Sequence, residues 1–98
     1  MIEIRKTEIF TKWFESLNDR RAKARIQARI DRAEMGNLGD VSPVGEGVSE
    51  FRIFYGPGYR VYFVQKDSVL VILLSGGDKS SQKSYIAKAK KIATQLEA

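Results

Sequence analysis

The stretch SEFRIFYGPGYRVYF, Ser49 to Phe63, constrains this chain more than any other. It reads as two strands joined through Gly56, Pro57 and Gly58. Pro57 fixes its own φ and lacks a donor, and the flanking glycines accept positive φ, as a hairpin connection requires. Side chains alternate across a strand, so Phe51, Ile53, Val61 and Phe63 share a face only if the numbers of paired residues sum to an even value. That register sets Glu50, Arg52, Phe54, Arg60, Tyr62 and Val64 together on the opposite face. A slip by one residue would turn one strand's apolar set into water. The pairing has a chemical consequence too, because two guanidinium groups fixed on one sheet face suit phosphate.

Around this hairpin the pattern changes period. Ile2 to Arg5 alternates as a short half-buried strand. Thr7 then offers an N-cap hydroxyl, with Glu8 in the first turn, and Ile9, Phe10, Trp13, Phe14 and Leu17 follow at helical spacing. Asn18 or Asp19 caps a second helix whose inner positions are Ala22, Ile26, Ile30 and Ala33, giving an αα-hairpin. Met35 to Gly47 reads as a loop with a short strand near Val41 to Val44. After the hairpin, Lys66, Asp67 and Ser68 turn into VLVILLS, Val69 to Ser75, an unbroken apolar strand covered on both faces. Gly76 and Gly77 are expected to end it. Ser80 or Ser81 would cap a last helix, reaching to about Leu96, with Tyr85, Ile86, Ala89, Ile92, Ala93 and Leu96 as its apolar side. The expected fold is α+β in one domain, residues 1–98: two N-terminal helices and a C-terminal helix packed on a twisted antiparallel β-sheet.

Composition narrows the chemistry. With no cysteine and no histidine among 98 residues, thiolate nucleophiles, disulfides, histidine bases and the commonest zinc ligands are excluded, so neither a metal nor a cofactor is expected. A net charge of +5 favours an acidic partner: nucleic acid, an acidic protein or anionic lipid. MIEIRKTEIF holds no apolar run of signal-peptide length and no stretch approaches the ~20 apolar residues that span a bilayer, so a cytoplasmic protein without membrane association is expected.

Several residues could act beside Arg52 and Arg60. The loop GGDKSSQ, Gly76 to Gln82, joins a strand end to a helix start, where free backbone amides favour anions and Lys79 could join the arginines around a phosphate. It lacks the spacing of a phosphate-binding P-loop. Glu50 reads either as a base or as a salt-bridge partner, and Tyr85 either as a site hydroxyl or as a packed ring. Tyr55, Tyr59 and Tyr62 read as sheet-stabilising aromatics or as platforms for bases. The second helix carries Arg20, Arg21, Lys23, Arg25, Arg29 and Arg32, spread too widely for one narrow stripe. They form a solvated basic surface or an RNA-facing patch.

Taken together, EFRIFYGPGYRVYF (Glu50 to Phe63), LLSGGDKSSQKSYIAKAKKI (Leu73 to Ile92) and FTKWFESLND (Phe10 to Asp19) resemble the RelE/ParE superfamily of bacterial toxin-antitoxin modules, most closely the HigB-like addiction module killer proteins. The resemblance covers the whole chain. It implies two N-terminal helices against a twisted antiparallel sheet. It also implies either ribosome-dependent cleavage of mRNA, as in RelE and HigB relatives, or inhibition of DNA gyrase without catalysis, as in ParE relatives; a third outcome is an inactive homologue kept for antitoxin binding. The implied partners are a helix-turn-helix antitoxin, the ribosome and mRNA, with operator DNA reached only through the antitoxin. By the same resemblance Arg60 in GYR contacts the scissile phosphate, Arg52 matches a basic position one strand back, and Lys79 falls on an arginine after a glycine. Tyr85 falls on a tyrosine six residues further along. Glu50 departs from the pattern, standing where a lysine is expected, so the general base is left open between Glu50 and Tyr85.

Overall fold

The computed structural model describes residues 1–97, the side chains of Ser81 and Glu97 excepted. The order is β1 (Glu3–Lys6), α1 (Glu8–Ser16), α2 (Arg20–Glu34), β2 (Val41–Gly45), β3 (Val48–Ile53), β4 (Tyr59–Lys66), β5 (Leu70–Asp78), a short 3-10 turn (Lys79–Ser81) and α3 (Gln82–Glu97). Both N-terminal helices start where side-chain caps serve their free amides. Thr7 Oγ1 accepts from Phe10 N at 3.0 Å and donates to Leu74 O at 2.6 Å, which ties the start of α1 to β5. Asp19 accepts from Arg21 N and Ala22 N at the start of α2. Asp78 caps the 3-10 turn before α3, its carboxylate accepting from Ser80 N at 2.9 Å, while the position just before α3 itself is Ser81. The side chain of Ser81 lies outside the described residues.

The strands form one sheet in the order β1-β5-β4-β3-β2. It is mixed and not wholly antiparallel: β1 runs parallel to β5, with Ile4 opposite Val71, while the other pairs are antiparallel. The α+β architecture is as expected. α1 and α2 cover one face, where Phe10, Ile26, Ile30, Phe51, Phe63 and Leu73 form the larger core. Phe51 and Phe63 stack there at 4.3 Å, a contact worth about 0.5–1.5 kcal/mol beyond its area. α3 covers the other face over Val48, Tyr62, Leu74, Ala89 and Ile92. Leu96, expected on the apolar side of α3, is half exposed.

The β3–β4 register follows the parity argument, with Phe51 opposite Val61, Arg52 opposite Arg60 and Glu50 opposite Tyr62. The connecting turn holds Gly56 and Gly58 at φ 57° and 81°. Between β4 and β5 the register shifts, with Phe63 opposite Leu73 but Tyr62 opposite Ser75. Leu74 is the extra residue of a β-bulge, and it reverses the alternation for the rest of β5. Leu74 and Ser75 thereby both face the α3 side, and Gly77 comes to lie opposite Arg60. Among the described residues no helix is long and apolar enough to cross a membrane.

Candidate functional site

The polar cluster is built on the α3 side of β3 and β4. Glu50 is 1% exposed, yet it is fully engaged. Its Oε1 accepts from Arg60 Nη1 at 3.1 Å and lies 3.5 Å from Arg52 Nε, and Gln82 Nε2 approaches its two oxygens at 3.3 and 3.4 Å. A buried carboxylate needs such partners, because desolvation of an unpaired charge is costly. One negative charge thus holds two positive ones and leaves a net cation at the surface. The Arg60 side chain is 12% exposed and that of Arg52 38%, so Arg52 reaches furthest into solvent.

The last turn of β5 completes the cluster. Gly76 and Gly77 do not end the strand, which runs on to Asp78. A Cβ on Gly76 would stand 2.3 Å from the Trp13 ring, and one on Gly77 2.2 Å from the Tyr85 ring. The glycines are there because an aromatic ring lies directly on the backbone from each side of the sheet. Tyr85 is thereby laid against Gly77, the ladder partner of Arg60. Beyond it, Lys79 rests its stem near Gly58 of the hairpin turn, where a Cβ would be 3.5 Å away. Arg52, Arg60, Lys79 and residues 53–59 line an open groove of about 360 Å3. Arg52, Arg60 and Lys79 therefore share one groove, with Glu50 buried behind the arginines, whereas Tyr85 borders the cluster through Gly77 and lines a separate hollow with Trp13, Ser75 and Lys88. Among the described residues no group of three histidine, cysteine, aspartate or glutamate side chains is placed to hold a metal ion.

Other expected contacts are placed differently. Tyr62 is fully buried between Glu50 and Ser75 under α3, so its ring is no platform for a base. Its hydroxyl and the Ser75 Oγ have no hydrogen-bond partner, and burial, aided by the Glu50 charge, pushes the phenol up to about 12. Tyr59 meets Trp13 edge-on at 6.4 Å and is half-buried against the larger core while it also lines the groove. Arg29 serves the fold: its guanidinium donates to Arg52 O at 2.7 Å, Leu38 O at 3.1 Å and Asp40 O at 3.0 Å, and burial lowers its pKa. Phe54 lies just beyond the end of β3 and is 78% exposed, lining the groove beside Arg52 and Arg60.

Arg20 and Arg21 are exposed at the start of α2, and Lys23 donates to Glu15 O at 3.3 Å. Arg25 lies over the Tyr55 ring at 4.8 Å, while the Tyr55 hydroxyl donates to Asp19, a bond that raises its own pKa. α2 covers the face opposite Arg60, yet at the open end of β3 a second groove of about 240 Å3, lined by Arg25, Arg29, Arg32, Arg52 and Phe54, adjoins the first. Sequence reasoning missed Gln82 and Phe54 as site residues. Nothing local distinguishes a glutamine that reaches a buried carboxylate 32 positions away.

A family model described as "Phage derived protein Gp49-like" matches residues 12–97. The chain belongs to the Gp49-like family. An "Uncharacterized protein" of Haemophilus influenzae is 50% identical to this Gp49-like chain over 95 residues, covering 97% of the chain and 96% of the relative. Among solved structures, a free-state double arginine-to-alanine mutant of the Escherichia coli toxin RelE superposes with a TM-score of 0.69 at 15% identity. The match covers 93% of the Gp49-like chain and 97% of that structure. The Gp49-like chain thus has the RelE fold, as its sequence resemblance implied.

Proposed function

We propose that this Gp49-like protein is the toxin of a HigB-like type II toxin-antitoxin module and cleaves mRNA on the ribosome in the cytoplasm. One observation carries the reading: Arg60 and Arg52 are fixed by a buried carboxylate at the rim of a groove that Lys79 borders from the other side. Cations held in place before substrate arrives stabilise developing phosphoryl charge without reorganisation. The ribose 2'-hydroxyl attacks the adjacent phosphorus and the bond to the 5'-oxygen breaks, leaving a cyclic phosphate and a free 5'-hydroxyl. One proton leaves the 2'-oxygen and one is delivered to the 5'-oxygen. Arg60 and Arg52 bind the non-bridging oxygens. Glu50, with both oxygens engaged, acts as a positioning residue, which leaves Tyr85 as the base and Lys79 as electrostatic support or proton donor. The ribosome orients the strand. A helix-turn-helix antitoxin holds the toxin inactive and is its link to operator DNA.

Toe-printing of mRNA on purified ribosomes tests this: added protein is expected to create new ends in the A site. The engagement of Glu50 also favours a second reading, a ParE-like inhibitor of DNA gyrase, which needs contact residues but no acid–base set. Trapped gyrase–DNA complexes without new mRNA ends would decide for it.

A further inference from the structure

An exposed aromatic ring sits between two basic grooves. Phe54 is 78% exposed, whereas Phe10, Phe51 and Phe63 are at most 2% exposed. A phenylalanine left in water forgoes about 1.5–3 kcal/mol of burial. Its place explains what it does. Phe54 lines both the groove at Arg60 and Lys79 and the groove at Arg25 and Arg32, and Arg52 stands at their junction. No carboxylate lines either groove among the described residues. Nor does any other exposed large apolar side chain, such as Met35 or Val69. A protein-docking surface gathers apolar area into a patch. One exposed ring flanked by cations, with the half-buried Tyr55 and Tyr59 beside it, suits single-stranded nucleic acid, whose phosphates and bases alternate along the chain.

We infer that Phe54 is the stacking platform for the base next to the cleaved phosphate, and that the RNA strand crosses it from the Arg60 groove to the Arg32 groove. The inference rests on the RNA-cleaving reading above and adds a base contact and a second phosphate subsite. Arg25, held over Tyr55, and Arg32, in the last turn of α2, supply that subsite. Arg29 is already committed to three carbonyls.

The test is fluorescence anisotropy with a short fluorescein-labelled single-stranded RNA, titrated at several salt concentrations, beside ribosomal cleavage by the same variants. Phe54→Ala and Phe54→Leu are expected to weaken binding about 5- to 150-fold, the effect of losing one base stack. Their salt dependence and thermal midpoints should match wild type. Phe54→Trp should bind as wild type does. Arg32→Ala should flatten the log–log salt slope by about 0.7, one phosphate contact to a single strand. Wild-type affinity in Phe54→Ala overturns the inference, as does wild-type affinity in Phe54→Leu alone, which would mark a generic apolar contact such as a protein partner makes. If wild type cleaves on ribosomes while Phe54→Ala binds and cleaves as well, only the stacking inference falls. If wild type neither binds the RNA nor cleaves, the functional reading falls with it.

Discussion

Replacing Glu50 by alanine removes the one carboxylate that both hairpin arginines share. The cost follows from how far each partner can recover water. Arg52, at 38% exposure, rehydrates, and its contribution is that of a surface pair, about 0–1 kcal/mol. Arg60, at 12%, does not. Its charge-assisted bond to Glu50 is worth about 1.5–3 kcal/mol, and the Gln82 amide loses an acceptor worth about 1 kcal/mol. The sum, about 2.5–5 kcal/mol, is close to the penalty of about 3–5 kcal/mol usual for removing one partner of a buried pair. Against a typical domain stability of about 5–15 kcal/mol, the loss is large. With a urea slope of roughly 1–3 kcal/mol per molar, the midpoint followed by far-ultraviolet circular dichroism should fall by at least about 0.8 M. Inorganic phosphate should restore the variant's midpoint more than it raises that of wild type, because the freed guanidinium groups then hold the anion. A midpoint within about 0.5 kcal/mol of wild type would show that Glu50 does not hold the arginines, a change that small being ordinary for an unengaged surface side chain. Equal effects of phosphate on both proteins would show that the arginines do not form an anion site.

Arg60→Lys keeps a charge against Glu50 but loses the fork, so ribosomal cleavage should slow by about 100-fold or more while the thermal midpoint stays near that of wild type; unimpaired cleavage would remove Arg60 from the reaction. Gly77→Ala forces a methyl to 2.2 Å from Tyr85, well inside ordinary contact, and should cost about 1–3 kcal/mol, read as a drop of about 4–8 °C per kcal/mol in a thermal melt. Tyr62→Phe removes a buried hydroxyl without a partner and should leave stability at pH 7 unchanged or raised. Because the folded phenol is pushed up to about 12 from 10, the folded state holds its proton longer, so wild type loses stability as pH rises from 10 to 12 and Tyr62→Phe lacks that component. Arg29→Ala should lower stability by about 2–4 kcal/mol through three lost carbonyl contacts without changing the salt slope of RNA binding; an altered slope would return Arg29 to the interface.

The hairpin was legible because its evidence is local: alternation and a Gly-Pro-Gly turn determine which residues face each other, and Arg52 does face Arg60. Parity also brought Glu50 to the same face, though not the depth to which α3 buries it. The continuation of β5 was hidden because consecutive glycines read as a break. Their cause is two rings, Trp13 from α1 and Tyr85 from α3, that no local pattern joins to Gly76 and Gly77. Parity puts Tyr62 on the arginine face and Tyr59 on the Val61 face but does not tell how deeply each is covered; α3 buries Tyr62, whereas Trp13 leaves Tyr59 half-buried at the groove. Arg29 is indistinguishable from its basic neighbours until the 38–40 loop folds back onto α2 and presents its carbonyls. The parallel pairing of β1 with β5 spans most of the chain, and strand parity says nothing about which distant strand is the partner.

The bulge at Leu74 limits how this protein can change in length. A one-residue insertion within Leu70–Leu74 that the bulge does not absorb would leave composition and hydropathy almost untouched, but it would push everything beyond it along the strand by about 3.3 Å. Gly76 would then sit opposite Arg60, Gly77 opposite Tyr59, and both rings would meet the wrong backbone position. Lys79 and the start of α3 would move with them. Substitutions in this strand are judged by packing, one site at a time, and a one-residue loss can be absorbed by closing the bulge, whereas a one-residue gain is judged by the whole site at once.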